Sequence, residues 1–181
     1  MSQLTVYADS DASKPLLTTE DFTRISSELG KIGVRIERWQ ADRDLADDAD
    51  NDTIIAAYQA EIDRLVADGG YQTWDVISMN PNHPEKDQFR HKFLDEHVHT
   101  EDEVRFFVRG HGLFTIHAGD KIYSVLCEKD DLMSVPANTK HWFDMGPNPA
   151  FTVIRMFNNP EGWVAKFTGD GIAGQFPLLD N

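Results

Sequence analysis

The stretch HVHTEDEVRFFVRG, residues 97–110, brings two histidines and a glutamate close together in the chain. His97 and His99 are two positions apart, so on a β-strand both imidazoles project from the same face. At roughly 3.3 Å per residue, an extended chain would carry Glu103 about 13 Å beyond His99. Metal donors lie about 2 Å from the ion, so the polar residues 100–102 must bend if all three side chains bind one metal.

A further histidine, His141, follows downstream and can complete this set of side chains. Three imidazoles and one carboxylate suit Fe, Ni, Mn or Zn better than Ca or Mg. Two histidines on one face also occur on exposed strands without any function, and the spacing alone leaves this alternative open.

From residue 96 onward the hydrophobic pattern has a period of two, which is typical of β-strands. Gly119 and Asp120 form a two-residue hairpin signal between two of these segments. The short, evenly spaced strands indicate an antiparallel barrel or sandwich. The predicted strands cover residues 103–109, 113–118, 121–128, 132–135, 141–145 and 151–157.

The first half of the chain predicts three helices that wrap the barrel. The first follows a cap at Thr18 or Thr19, the second follows a cap at Asp52 and ends at Gly69–Gly70, and the third runs from Pro84 to about residue 94. Further strands are expected at residues 4–8, 34–39 and 74–79, and the aspartate-rich residues 42–52 are expected to form a solvated loop. We expect one domain over residues 1–181: a mixed segment to 95, a barrel core over 96–160 and a covering segment over 161–181.

Composition narrows the possible partners. The chain has 17 basic and 31 acidic residues, a net charge of −14, which disfavours nucleic acid and anionic membranes as partners. The N-terminal sequence has no secretory signal pattern, and no apolar run is long enough for a transmembrane helix. One cysteine excludes an internal disulfide, so we expect a cytoplasmic protein.

Residues 97–110 resemble the first cupin motif, and Pro136 with His141 resembles the core of the second. His91, Asp130 and Asn138 stand where the motifs carry glycine, and Met145 replaces an asparagine. Within the cupins the chain closely resembles the acireductone dioxygenase family over nearly its whole length. The resemblance rests on residues 33–45, 54–58, 71–79, 97–110, 125–146 and 157–170.

This resemblance implies a cupin-type antiparallel β-barrel, a double-stranded β-helix, that works as a monomer with one Fe(II) or Ni(II) per chain. It implies the metal ligands His97, His99, Glu103 and His141. The implied substrates are acireductone and O2 in methionine salvage. With iron the expected products are formate and 4-methylthio-2-oxobutanoate, and with nickel they are carbon monoxide, formate and 3-methylthiopropanoate.

The resemblance also implies a substrate pocket, formed by Phe93, Arg105, Phe143, Arg155 and Trp163. The strand pattern supports the arginines, because Arg105 shares its parity with Glu103, and Arg155 belongs to an otherwise apolar strand. A guanidinium inside a barrel is costly unless it meets an anion, so both can bind an acidic, oxygen-rich ligand. The resemblance implies that Arg105 and Arg155 act with Glu103 in catalysis. Alternatively either arginine faces the surface or pairs with Glu96, Asp102 or Asp144.

Two other functions remain open from the sequence: a different metal cupin, such as a sugar isomerase or another dioxygenase, and a cupin that only binds or stores a small molecule. The remaining candidate side chains have structural interpretations. His83 and His91 are expected at the surface, His111 in a turn, and His117 and Cys127 in structural positions.

Overall fold

The computed structural model describes residues 1–39 and 43–180, and within them the chain forms four α-helices and twelve strands. The helices are α1 (Phe22–Gly30), α2 (Asn51–Ala57), α3 (Gln59–Gly69) and α4 (Lys86–Leu94), followed by a short 3-10 helix (Gly171–Gln175). The strands are β1 (Gln3–Ala8), β2 (Leu17–Thr19), β3 (Arg35–Arg38), β4 (Thr73–Met79), β5 (His97–Val98), β6 (Glu103–Arg109), β7 (His111–Ala118), β8 (Lys121–Glu128), β9 (Asp131–Val135), β10 (Lys140–Asp144), β11 (Phe151–Phe157) and β12 (Lys166–Phe167).

The strands form two antiparallel sheets. One has seven strands in the order β12-β5-β10-β7-β8-β1-β2, and the other has five in the order β3-β9-β6-β11-β4. This arrangement confirms the predicted mainly β, cupin-type architecture. The segment that carries His97, His99 and Glu103 runs from β5 in one sheet to β6 in the other, so it crosses between the two sheets.

Alternation along each strand divides the apolar residues between the interior and the outer faces. In β6, Phe107 joins the core between the sheets, whereas Phe106 and Val108 join a second cluster with residues of α2 and α3. A third cluster joins the C-terminal 3-10 helix to the other face of the seven-stranded sheet, where Phe176 packs beside Trp142.

The helices begin at caps that differ from the predicted ones. Thr18 and Thr19 belong to β2, and the Asp21 carboxylate caps α1 instead, accepting from the backbone N–H of Thr23 at 2.9 Å. The predicted second helix is two helices, because Tyr58 lies outside helical geometry at φ −108° and ψ 15°. The count is therefore four helices in the described residues, not three.

Other boundaries also differ. Asp50 rather than Asp52 caps α2, and the third predicted helix begins at Lys86 rather than Pro84. His111 begins β7, so its predicted turn position was wrong.

Asp42, part of the predicted loop, lies outside the described residues. Over the part of the chain that the structure describes, no helix is both long and apolar enough to cross a membrane.

Candidate metal centre and adjoining cavity

Three of the predicted metal ligands come together in the interior of the fold. His97 on β5 lies directly opposite His141 on β10, and His99 follows β5 immediately. The ring centroid of His97 lies 5.1 Å from that of His99 and 4.6 Å from that of His141. One ring nitrogen from each histidine lies within 4.8 Å of the other two, a spacing that can hold one metal ion.

Backbone carbonyls fix the orientation of each imidazole. Every Nδ1 is hydrogen-bonded to a main-chain oxygen: that of Asp95 for His97 at 2.7 Å, Val164 for His99 at 3.0 Å and Thr139 for His141 at 2.8 Å. Since Nδ1 donates to a carbonyl, Nε2 is left with its lone pair as the possible ligand atom. Histidines that bind metals in proteins are usually oriented in this way.

Glu103 reaches the histidines because the chain bends at Thr100 and Glu101, as predicted. Its Oε2 lies 2.6 Å from His141 Nε2 and 3.3 Å from His99 Nε2. Its Oε1 lies 2.5 Å from Arg105 Nε. The carboxylate therefore lies between the imidazoles and a guanidinium.

Burial and charge give His97 and Glu103 the protonation states that a metal needs. Burial lowers the pKa of His97 to about 4, and the neighbouring His141 acts in the same direction. Burial works against ionisation of Glu103, but Arg105 and His141 hold the pKa of that carboxyl well below its usual range. Near neutral pH, His97 is therefore a neutral donor and Glu103 an anionic one.

An orphaned nitrogen supports the same conclusion. His99 Nε2 is fully buried without a hydrogen-bond partner, a costly arrangement unless another group binds there. Three imidazoles and a carboxylate match the donor preference of a first-row transition metal. The residues present therefore fit a metal ion.

A cavity of about 330 Å³ adjoins the cluster. His99 and Glu103 form part of its wall, and the remainder is largely apolar. The structure brings all the predicted pocket residues into this wall: Phe93, Arg105, Phe143, Arg155 and Trp163.

Both arginines lie inside the barrel, as their strand parity predicts, and both have a carboxylate partner. Arg105 pairs with Glu103, and Arg155 donates from Nε and Nη2 to Asp75 at 2.9 and 2.6 Å. The alternative partners considered from the sequence were wrong, because Asp144 pairs with Arg90, and Asp102 accepts from a backbone amide.

Sequence reasoning missed part of the cavity wall. Met79, Phe89 and Phe151 line it, and so does His83, which was predicted at the surface. Alternation in β4 could have placed Met79 inside the barrel. The position of Phe89 depends on how α4 packs, for which the sequence gives no local signal.

The other candidate side chains have structural positions. His117 donates from Nδ1 to the buried Glu96 carboxylate at 2.6 Å, His91 is exposed, and Cys127 is fully buried. Asp130 and Asn138, which replace motif glycines, keep the glycine-like backbone with φ of 75° and 60°. These two departures from the motif therefore preserve the turns.

Comparison with known proteins agrees with this architecture. The family model of the ARD/ARD' family matches residues 3–165. An acireductone dioxygenase of Yersinia enterocolitica is 59% identical over 180 residues, 99% of this chain and 100% of that protein. One of Cronobacter sakazakii is 60% identical over 179 residues, 99% of either chain.

A solved structure with the same fold contains a metal. Acireductone dioxygenase from Bacillus anthracis, with a cadmium ion in its active centre, is 33% identical to this chain. It aligns with a TM-score of 0.80, covering 92% of this chain and 98% of the other.

Proposed function

The chain belongs to the ARD/ARD' family, and from that premise we propose that it is a metal-dependent dioxygenase that cleaves acireductone, 1,2-dihydroxy-5-(methylthio)pent-1-en-3-one, with O2. One observation carries the proposal: the cluster of His97, His99, Glu103 and His141 adjoins a largely apolar cavity that also holds two guanidinium groups. We propose these four side chains as the ligands of one Fe(II) or Ni(II) per chain.

Acireductone is an acidic enediol, so it enters the cavity as an anion. Arg105 and Arg155 offer guanidinium donors to its oxygens, and such charge-assisted hydrogen bonds fix orientation as well as charge. The methylthioethyl tail then packs against the apolar wall, where Met79, Phe89 and Phe143 lie. This polarity directs the oxygen-rich end of the substrate toward the histidines.

When bound, the metal supplies a Lewis acid and a template for the adjacent oxygens of the anion. The protein keeps its ligands in place: backbone carbonyls orient the three imidazoles, and Arg105 holds Glu103 ionised. Trp163 lines the cavity while 48% of its surface remains exposed, so it stands at the mouth.

The family resemblance supports a finer proposal about products. The Fe(II) form gives formate and 4-methylthio-2-oxobutanoate, the route of methionine salvage, whereas the Ni(II) form gives carbon monoxide, formate and 3-methylthiopropanoate. Both forms use the same four ligands. We further propose that the protein is cytoplasmic and monomeric. Size-exclusion chromatography with light scattering measures the oligomeric state directly.

The test combines metal analysis with turnover. The purified protein is stripped of metal, loaded separately with Fe(II) and Ni(II), and supplied with acireductone while oxygen uptake and products are measured. We expect the keto acid with iron and carbon monoxide with nickel. The matched control is His141→Ala, which should retain the fold and lose both activities.

The alternatives give different results. Bound metal without oxygen uptake on acireductone would contradict the proposed substrate and favour another metal cupin, which sugar and diketone substrates would then identify. Failure to bind any transition metal would contradict the metal centre and favour a cupin that only binds small molecules.

A further inference from the structure

Three charged side chains form a row across the inner face of the five-stranded sheet. Arg155 on β11 lies directly opposite Arg105 on β6 on one side and directly opposite Asp75 on β4 on the other. Like charges at directly opposite positions repel one another. The cavity therefore contains an arrangement that β-sheet pairing alone disfavours.

Asp75 holds the guanidinium of Arg155 in one orientation. Its two carboxylate oxygens accept from Nε and Nη2 in a bidentate pair, so both the position and the plane of the guanidinium are fixed. The ring of Phe157 lies against the same group, with its centroid 5.1 Å from the Arg155 Cζ. Nη1 is the one nitrogen of Arg155 that these two contacts do not use.

We propose that Asp75 is a positioning residue for the substrate anion: by holding Arg155 from one edge, it presents the other edge of the guanidinium to the cavity. The inference rests on the proposed function and extends it to a residue outside the cavity wall. A free arginine loses considerable side-chain entropy when it orders around a ligand, and Asp75 removes much of that cost before the substrate arrives.

The negative charge of Asp75 could also have the opposite effect on substrate binding. Asp75 carries a negative charge at the edge of a site that binds an anion, so it could weaken substrate binding by competing for Arg155. Its side chain is 46% exposed, whereas that of Arg155 is 15% exposed. Solvent screens the charge of an exposed carboxylate, but the geometric constraint on a largely buried guanidinium remains. Positioning should therefore outweigh competition.

The test compares Asp75→Ala and Asp75→Asn with wild type in the Fe(II)-loaded enzyme. We expect kcat/KM to fall about tenfold or more in Asp75→Ala, since small misplacements of a positioning group have effects of this order. The kcat/KM of Asp75→Asn, which keeps one acceptor oxygen, should lie between those of wild type and Asp75→Ala. Glu28→Gln is the matched control: it removes a carboxylate on α1 that is paired with Lys31, and the kcat/KM of this variant should equal that of wild type.

A double-mutant cycle separates positioning of Arg155 from any other effect of Asp75. In an Arg155→Met background, Asp75→Ala should cause no further loss of kcat/KM. A loss of the same size there would overturn the inference, because Asp75 would act without Arg155. Higher kcat/KM in Asp75→Ala alone would also overturn it and show competition instead.

A measurement on the metal-free protein keeps the test independent of turnover. The Nε–H signal of Arg155 in the nitrogen-proton NMR spectrum, assigned by its loss in Arg155→Met, should exchange with water at least tenfold faster in Asp75→Ala. Unchanged exchange would overturn the inference. If wild-type protein consumes no oxygen with acireductone, the proposed function fails, and the exchange rate still decides whether Asp75 fixes Arg155.

Discussion

Arg105 Nε lies 2.5 Å from Glu103 Oε1, and both side chains are about nine-tenths buried. The second arginine–carboxylate pair joins Arg155 on β11 to Asp75 on β4, and it differs in burial, since the Asp75 side chain is 46% exposed. The two arginines lie directly opposite one another, yet they hold carboxylates in different environments. Their removal should therefore have different consequences for stability.

Arg105→Met should lower the free energy of unfolding of the metal-free protein by about 3 kcal/mol, because it leaves the buried Glu103 carboxylate without its cation. Arg155→Met should cost less than about 1 kcal/mol, since the carboxylate of Asp75 remains solvated. Urea denaturation followed by circular dichroism measures both. Equal losses in the two variants would contradict this dependence on burial.

The predicted metal ligands can be tested without turnover. His97→Ala or Glu103→Ala should weaken Fe(II) or Ni(II) binding at least about a hundredfold, more than is usual when a residue supporting a ligand is lost. The far-UV circular dichroism spectrum should remain that of wild type. His91→Ala, at an exposed position on α4, should keep full metal content after dialysis. A full metal content in Glu103→Ala would remove that residue from the ligand set.

Cys127 should be chemically inert in the native protein. Burial raises the pKa of its thiol well above the ordinary value, and the charges of Asp131 and Glu128 act in the same direction. The thiolate is the reactive form, so a disulfide reagent at mildly alkaline pH should modify native protein far more slowly than urea-denatured protein. Reaction at equal rates would contradict the burial of Cys127.

The raised pKa of the Cys127 thiol also makes the stability of the protein depend on pH. The native thiol stays protonated at a pH where the unfolded thiol ionises, so the contribution of Cys127 is complete below about pH 8.5 and declines as the pH rises above it. Urea denaturation across the alkaline range, compared with Cys127→Ala, measures this contribution. A variant with the same alkaline slope as wild type would count against it.

Two glycines with similar backbones form a matched pair. Gly110 has φ of 72° and Gly119 has φ of 62°, so alanine is strained by about 1 kcal/mol at either position. A Cβ at Gly110 would also overlap the carbonyl oxygen of Ala150 and lie 2.8 Å from the Cα of Phe151, whereas nothing lies within 4 Å at Gly119. Gly110→Ala should therefore lower the free energy of unfolding by about 3 kcal/mol or more, and Gly119→Ala by about 1 kcal/mol. Similar losses of unfolding free energy in the two variants would show that backbone strain alone, without steric overlap, sets the cost of the added Cβ.

The strand pattern predicted much of the barrel because period-two alternation is a local signal. It placed β6, β8 and β11 at the bounds that the structure has, and the parity of Arg105 and Arg155 placed both inside. It could not find β5 and β12, because two-residue strands contain no period.

At the site, too, local sequence patterns predicted some features, whereas others depend on how the strands pair. Residue types and spacing predicted which four side chains lie together, but the partners of the arginines depend on strand register. Asp75 meets Arg155 only because β4 pairs with β11 at that position, and no local pattern encodes this pairing. The helix caps failed for a related reason, since several neighbouring aspartates and threonines can all cap a helix.

His97 and His141 are far apart in the chain and meet through the pairing of β5 with β10. The three imidazoles therefore do not converge in any short fragment of the polypeptide, because they approach one another only once β5 and β10 pair. Synthesis of the chain up to β9 yields a segment with two histidines and a glutamate that lacks the third imidazole. The three-histidine cluster is consequently a product of folding rather than of any local segment of the sequence.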